Sequence, residues 1–189
     1  MLTKSAVVVS WTLLGTAWSH AVMTTPEPRG IGSAQEAVCG AAVTDRLDDD
    51  KAGPIENSVA VIDDDYHCNL FLCRGYQFED NTQNILSLAG GDVLDIHIDI
   101  IAGHKPGYAN ISVVDAMTNQ IIGEPLKVWD DFLSSDPSVP DDERDFNITI
   151  PQDLPTDCAE AGNCVIQWYW YATGNKQTYI SCLDFEVTL

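Results

Sequence analysis

The sequence predicts an antiparallel β-sandwich, and three observations carry that reading. Leu94, Ile96, Ile98 and Ile100 alternate with Asp95, His97 and Asp99, the period of a half-buried strand. Further runs dense in β-branched and aromatic residues recur along the chain, separated by Gly and Pro. No long stretch keeps a helical period. Short strands at regular spacing with turn signals between them are the signature of a sandwich.

The strands follow in order. Ile111 to Val114 forms one, and Phe146, Ile148 and Ile150 mark another by alternation. Val165 to Tyr171 is rich in Trp, Tyr, Val and Ile, and Tyr179 to Val187 closes the chain. Gly90-Gly91, Pro106-Gly107, Gly123, Pro140, Pro151 and Gly174-Asn175 supply the breaks. Asp130 to Ser134 is compatible with one helical turn. Residues Gly30 to Asn69 show little period, and they are expected to form a long loop region with short helices pinned by cysteines.

Residues 1–19 read as an export signal: Lys4, an apolar run from Ala6 to Leu14, then Ala17-Trp18-Ser19 with small residues at the two recognised positions. Residues 20–189 then form a single domain, and no second apolar segment is long enough to span a bilayer. The protein is expected to be secreted, extracellular and monomeric. With 29 acidic against 9 basic residues, a net charge of −20, nucleic acid and anionic membranes are excluded as partners. The six cysteines, Cys39, Cys68, Cys73, Cys158, Cys164 and Cys182, read as three disulfides in an exported chain. Cys158 is expected to pair with Cys164 across a short turn. Cys182 is expected to pair with an early cysteine, Cys39 first, which leaves Cys68 and Cys73. Asn110-Ile-Ser and Asn147-Ile-Thr are glycosylation sequons.

The chemistry lies with the histidines. Cleavage after Ser19 gives His20 a primary α-amine. That amine and the ring Nδ1 of the same residue can close a six-membered chelate on one metal ion, which an internal histidine cannot do. Of the other three, His97 sits between two aspartates on a polar strand face and reads as solvated, while His67 precedes Cys68 in a loop. His104 lies in Ala102-Gly-His-Lys-Pro-Gly107, at a turn between two strands, where functional residues concentrate. Three nitrogens, two from His20 and one from His104, make a T-shaped planar set. Such a set suits Cu(II) better than tetrahedral zinc.

Five segments carry a family resemblance: His20-Ala-Val-Met-Thr-Thr-Pro; Cys68-Asn-Leu-Phe-Leu-Cys73-Arg-Gly-Tyr-Gln-Phe-Glu-Asp; Ala102-Gly-His104 before Ala109-Asn-Ile-Ser-Val-Val-Asp; Cys164-Val-Ile-Gln-Trp168-Tyr-Trp; and Gln177-Thr-Tyr179-Ile-Ser-Cys182-Leu-Asp. Together they resemble a lytic polysaccharide monooxygenase of the fungal kind with a chitin-binding type-4 domain. The resemblance implies a fibronectin-like or immunoglobulin-like β-sandwich with one copper ion on a flat face. His20 and His104 match the histidine brace, Tyr179 the axial aromatic residue and Gln177 an outer glutamine that orients oxygen species. Ala102 matches an alanine packed beside the axial site, and Trp170 a buried tryptophan near the copper, read here first as core packing. Tyr66, Tyr76 and Tyr108 are candidates for exposed substrate-binding aromatics.

The implied function is a secreted, copper-dependent enzyme that oxidatively cleaves a β-linked polysaccharide such as cellulose, chitin or a cell-wall glucan. Its partners would be the polymer surface, an external electron donor, and hydrogen peroxide or oxygen. Attack at C1 or C4 of the linkage needs no pair of catalytic carboxylates, unlike hydrolysis. Two alternatives are a non-cleaving histidine-brace protein of copper handling or surface biology, and a non-catalytic chitin-binding module. In the former an aspartate takes part in place of the axial aromatic, and Asp184 is the nearby aspartate.

Overall fold

The computed structural model describes residues 20–102, 107–133 and 140–188. The export signal expected at 1–19 and His104 therefore lie outside the described residues. Among the described residues nine strands form two sheets. The smaller has the order β1 (His20–Thr25), β3 (Val93–Ala102), β7 (Asp145–Thr149), all antiparallel. The larger has the order β2 (Leu86–Ala89), β9 (Gln177–Thr188), β8 (Cys164–Ala172), β4 (Gly107–Asp115), β5 (Gln120–Ile121), with β6 (Lys127–Trp129) also on β4. The expected sandwich is present. One pairing departs from the antiparallel rule, since β2 runs parallel to β9, Leu86 opposite Phe185.

The small sheet behaves as its alternation predicts: Ile96, Ile98 and Ile100 are buried while Asp95 and Asp99 are exposed. His97 faces outward and meets Asp145 across the β3–β7 pair, Nδ1 to Oδ1 2.6 Å. The large sheet is different, because both its faces are covered. Tyr179, Leu183, Phe185 and Val187 of β9 turn into the space between the sheets, with Ile166, Trp168 and Trp170 of β8. Ile180 and Cys182 of β9 and Val165 of β8 turn the other way, into a second core. That double burial explains why β8 reads as an unbroken apolar run. Trp168, Trp170, Tyr179, Phe132 and Phe185 are among the fully buried side chains, each worth roughly 1.5–3 kcal/mol by area. The helical turn expected from Asp130 is not seen among the described residues: residues 130–133 form a bend and a turn, with Leu133 at a φ of +59°.

The second core is built by the segment expected to be mostly loop. It holds three helices, α1 (Ser33–Cys39), α2 (Ala41–Asp49) and α3 (Ile55–Val59), whose Val43, Leu47 and Ile55 bury against the large sheet. A fourth short helix, α4 (Asp141–Arg144), precedes β7. α1 takes its N-terminal cap from far away: Asp80 accepts the backbone N–H of Ala34 at 3.0 Å and of Gln35 at 2.8 Å. A carboxylate there satisfies two orphan donors and faces the positive end of the helix.

Three disulfides form. Cys158 bonds to Cys164. The expected Cys39–Cys182 bond is not made: Cys182 bonds to Cys73, and Cys39 to Cys68. The reason lies in the two faces of β9. Cys182 points into the helical side, beneath the turn Cys73–Gly75, while Cys39 ends α1 beside the loop that carries Cys68. Gly75 separates the two bridges. Its φ is +76°, and a Cβ there would lie 2.8 Å from the Cys39 sulfur and 3.0 Å from that of Cys68, so only glycine fits.

Candidate metal centre

β1 and β9 run side by side in the same sense. Met23 N–H donates to Ser181 Oγ at 3.1 Å, and Arg29 N–H to the Cys182 carbonyl at 2.8 Å. The starts of both strands, His20 and Gln177-Thr178-Tyr179, are thereby brought to one end of the sandwich. The same end receives the two residues that flank positions 103–106: Ala102 is the cross-strand partner of His20, and Gly107 pairs with Ala172, itself opposite Gln177. His104 follows Ala102 by two residues in the sequence. Gly107 is tightly fitted; a Cβ would stand 2.6 Å from Trp170 Nε1 and 2.9 Å from the Tyr171 carbonyl.

His20 is mostly buried and its ring is held. Nε2 lies 2.9 Å from Asp50 Oδ2, with side chains 15% and 24% exposed. An imidazole that donates Nε2–H to a carboxylate carries its lone pair on Nδ1. Nδ1 is the nitrogen a chelate through the His20 amine requires. The next residue is also fixed, Ala21 N–H donating to the Ala52 carbonyl at 3.1 Å. Beside His20 lies a hollow of about 600 Å³, lined by Arg46, Asp49, Asp50, Asn57, Ala60 and Val61.

Tyr179 is fully buried as a residue, stacked on Trp170 with centroids 4.3 Å apart at 23°. Its hydroxyl donates to Gln177 Oε1 at 3.1 Å, so the two β9 residues expected at the site do meet. Trp170 is core, packed against Phe132 and Trp168 as well as Tyr179. Asp184 is on the other face of β9 and is fully engaged. Arg29 donates Nε–H to its Oδ2 at 2.7 Å and a terminal N–H to its Oδ1 at 2.6 Å, both side chains buried.

Of the other tyrosine candidates, Tyr108 sits near this end, following Gly107 and pairing with Tyr171, itself opposite Thr178. Tyr76 is buried with its ring beneath Arg74, so it is no exposed substrate aromatic. Tyr66 is half-buried and its hydroxyl accepts the Leu70 N–H. Tyr108 is 42% exposed and groups with Tyr169 and Tyr171 on the outer face of the large sheet. Burial pushes the Tyr169 phenol up to about 12, with Tyr108 adding to the shift. His67 is exposed. Asn110 is half-buried on β4 and Asn147 exposed on β7.

Three residues of this region carried no signal in the sequence. Asp50 sits in the run Asp48-Asp49-Asp50, which reads as a solvated acidic stretch. Glu56 of α3 grips the start of β9, accepting Thr178 N–H and Thr178 Oγ–H at 2.8 Å each. Arg74, 3% exposed, donates to the Gly53 carbonyl at 2.7 Å and the Asp50 carbonyl at 3.1 Å, clamping the turn that bears Asp50. Only tertiary contact reveals these roles.

Among the described residues no cluster of three His, Cys, Asp or Glu side chains forms a metal site. The expected histidine brace would not be such a cluster, since two of its nitrogens would come from one residue. The donor set on hand fits copper in kind, with an imidazole whose Nδ1 bears the lone pair and a phenol at the same end of the fold.

Comparison with known proteins adds the family. Residues 20–185 match the model of the family described as lytic polysaccharide mono-oxygenase, cellulose-degrading. The chain belongs to that family. No curated protein sequence matches it. Among solved structures, a polysaccharide monooxygenase of the CBM33 type is similar at 13% identity and TM-score 0.50, over 89% of this chain and all of the other. The catalytic domain of a lytic polysaccharide monooxygenase from Listeria monocytogenes is 17% identical with TM-score 0.48, over 90% of this chain and all of that one. A Bacillus amyloliquefaciens CBM33 in complex with Cu(I) is 14% identical with TM-score 0.37; the chain covers 56% of its length, and the match covers 55% of this chain. The family expected from the sequence is thus shown, although the similar structures named above with a source are bacterial and not of the fungal kind expected. Among the described residues no helix is long and apolar enough to cross a membrane.

Proposed function

We propose that this protein is a secreted copper monooxygenase that oxidatively cleaves a β-linked polysaccharide, with one copper ion per chain. The observation that carries the proposal is the convergence at one end of the sandwich of His20, of Ala102 and Gly107 on either side of His104 in the sequence, and of the Gln177–Tyr179 pair. His20 would hold the metal through its amine and Nδ1 and His104 through its ring, with the Tyr179 phenol close by. Bound there, copper supplies one-electron redox chemistry toward hydrogen peroxide or oxygen, driven by an external electron donor.

The residues divide the remaining work. Asp50 holds the His20 ring in the tautomer that exposes an Nδ1 lone pair. Glu56 fixes the first residues of β9, so Gln177 and Tyr179 keep one placement. The Tyr179 hydroxyl donates to Gln177 Oε1, which leaves the amide N–H₂ of Gln177 as a donor toward an incoming oxygen species. Stacking on Trp170 holds the Tyr179 ring against rotation. The Asp184–Arg29 pair supports the cleaving reading over the copper-handling one, because that aspartate already has a buried partner. The family description makes cellulose the first polymer to try.

The test is reductant-driven release of oligosaccharides from cellulose, chitin, xylan and β-glucan, read by mass spectrometry. Oxidised ends that require copper, reductant and peroxide or oxygen are expected from at least one polymer. Copper binding without oxidised products from any of them would move the protein to the non-cleaving branch.

A further inference from the structure

The His20 ring is held by the turn Asp50–Gly53, a half-buried turn in which only Lys51 is exposed and which is fastened at several points. Its carbonyls at Asp50 and Gly53 accept from Arg74, a buried guanidinium. Gly53 N–H closes the turn on the Asp50 carbonyl at 3.2 Å, and the Ala52 carbonyl accepts from Ala21. Arg74 follows Cys73, whose disulfide to Cys182 fastens it to β9 three residues after Tyr179. The turn is therefore hydrogen-bonded to β1 and, through Arg74 beside the Cys73–Cys182 bridge, tied to β9. The one polar side chain it sends to His20 is the Asp50 carboxylate, at 2.9 Å from Nε2.

We infer that Asp50 is the positioning residue of the metal centre: its carboxylate fixes the ring angle and the Nε2–H tautomer of His20, and makes Nδ1 a stronger donor to the metal. This inference builds on the copper reading above. A metal-bound imidazole ordinarily donates its other N–H to such a partner, which raises its basicity and sets its orientation. Here the partner is anionic and only part-exposed, so its effect on the ring is weakly screened. Gly53 is what lets the carboxylate lie where it does. A Cβ at Gly53 would overlap the Asp50 carboxylate, the mobile end of a short side chain, and would push it aside. The Gly53 φ is not in the left-handed region, so alanine is otherwise acceptable to the backbone.

The experiment uses the chain beginning at His20 and four variants, Asp50→Ala, Asp50→Asn, Asp50→Glu and Gly53→Ala. In the metal-free protein, ¹⁵N chemical shifts report the His20 tautomer. In the copper-loaded protein, Cu(II) affinity by competition titration and the electron-paramagnetic spectrum report the donor. Asp50→Ala should abolish the Nε2–H preference and weaken Cu(II) binding about 10–100-fold. Gly53→Ala, which retains both groups, should act in the same direction. Asp50→Asn keeps an acceptor without the charge and should fall between, while Asp50→Glu should restore part of the loss. An unchanged tautomer and unchanged Cu(II) affinity in both Asp50→Ala and Gly53→Ala overturn the inference. If Asp50 controls the metal-free ring but the parent chain binds no copper at His20, the copper reading fails instead, and the metal role of Asp50 with it.

Discussion

Replacing Asp184 with asparagine should strongly destabilise the protein and leave its copper site alone. Arg29 makes two charged hydrogen bonds to Asp184, at 2.6 and 2.7 Å, and one to the Tyr76 carbonyl at 3.1 Å. The two side chains are 6% and 1% exposed. Asparagine keeps the shape and one acceptor but removes the charge, which strands a guanidinium in a place water does not reach. Removing one partner of a buried pair costs about 3–5 kcal/mol. For a chain of this size each kcal/mol moves Tm by about 2–4 °C, so thermal unfolding followed by circular dichroism should shift down by roughly 6–20 °C. The double replacement Arg29→Met with Asp184→Leu should recover most of the loss, because no unpaired charge remains. The electron-paramagnetic spectrum of bound copper should not change, since Asp184 and Tyr179 lie on opposite faces of β9. A Tm within about 2 °C of the parent, or a copper spectrum governed by Asp184, would refute the assignment of this carboxylate to Arg29.

Further outcomes are open to measurement. Tyr179→Phe should retain copper, change its paramagnetic spectrum and the rate of reductant oxidation, and cost about 1 kcal/mol through loss of the bond to Gln177 in a denaturant titration. Removing the Cys73–Cys182 bridge as a double serine variant should cost about 4–5 kcal/mol, against about 2 for Cys158–Cys164, because the loops closed span 109 and 6 residues. An ultraviolet titration should show one phenol ionising near 12 that Tyr169→Phe removes. Because the folded phenol holds its proton above the ordinary value of 10, that group favours folding below pH 10, and its contribution is lost as pH rises from 10 towards 12.

What the sequence disclosed and what it hid divide along a physical line. Strands with one wet face announce themselves by alternation, and β3 and β7 lie where Leu94–Ile100 and Phe146–Ile150 place them. β8, covered on both sides, still reads as a strand from its aromatic density but conceals which face meets which core. The helical segment lacked a clear period because its helices are short and one of them is capped by Asp80, more than forty residues away. The Cys182 partner was misjudged for a related reason: the choice depends on which face of β9 the sulfur occupies and on a turn at Cys73 that only the second core brings near. At the site, His20, Gln177 and Tyr179 were legible as a constellation, while Asp50, Glu56 and Arg74 act through contacts that no spacing encodes.

The most direct test of the copper site is calorimetric titration of copper into two forms of the chain, one beginning at His20 and one carrying a single extra residue before it. The first form should bind one copper ion per chain, more tightly than zinc, and His104→Ala should lose most of that affinity while His97→Ala loses little. The extended form should bind far more weakly, because its His20 nitrogen is an amide. Equal affinity in the two forms, or equal loss in the two histidine variants, would contradict a brace built from His20 and His104.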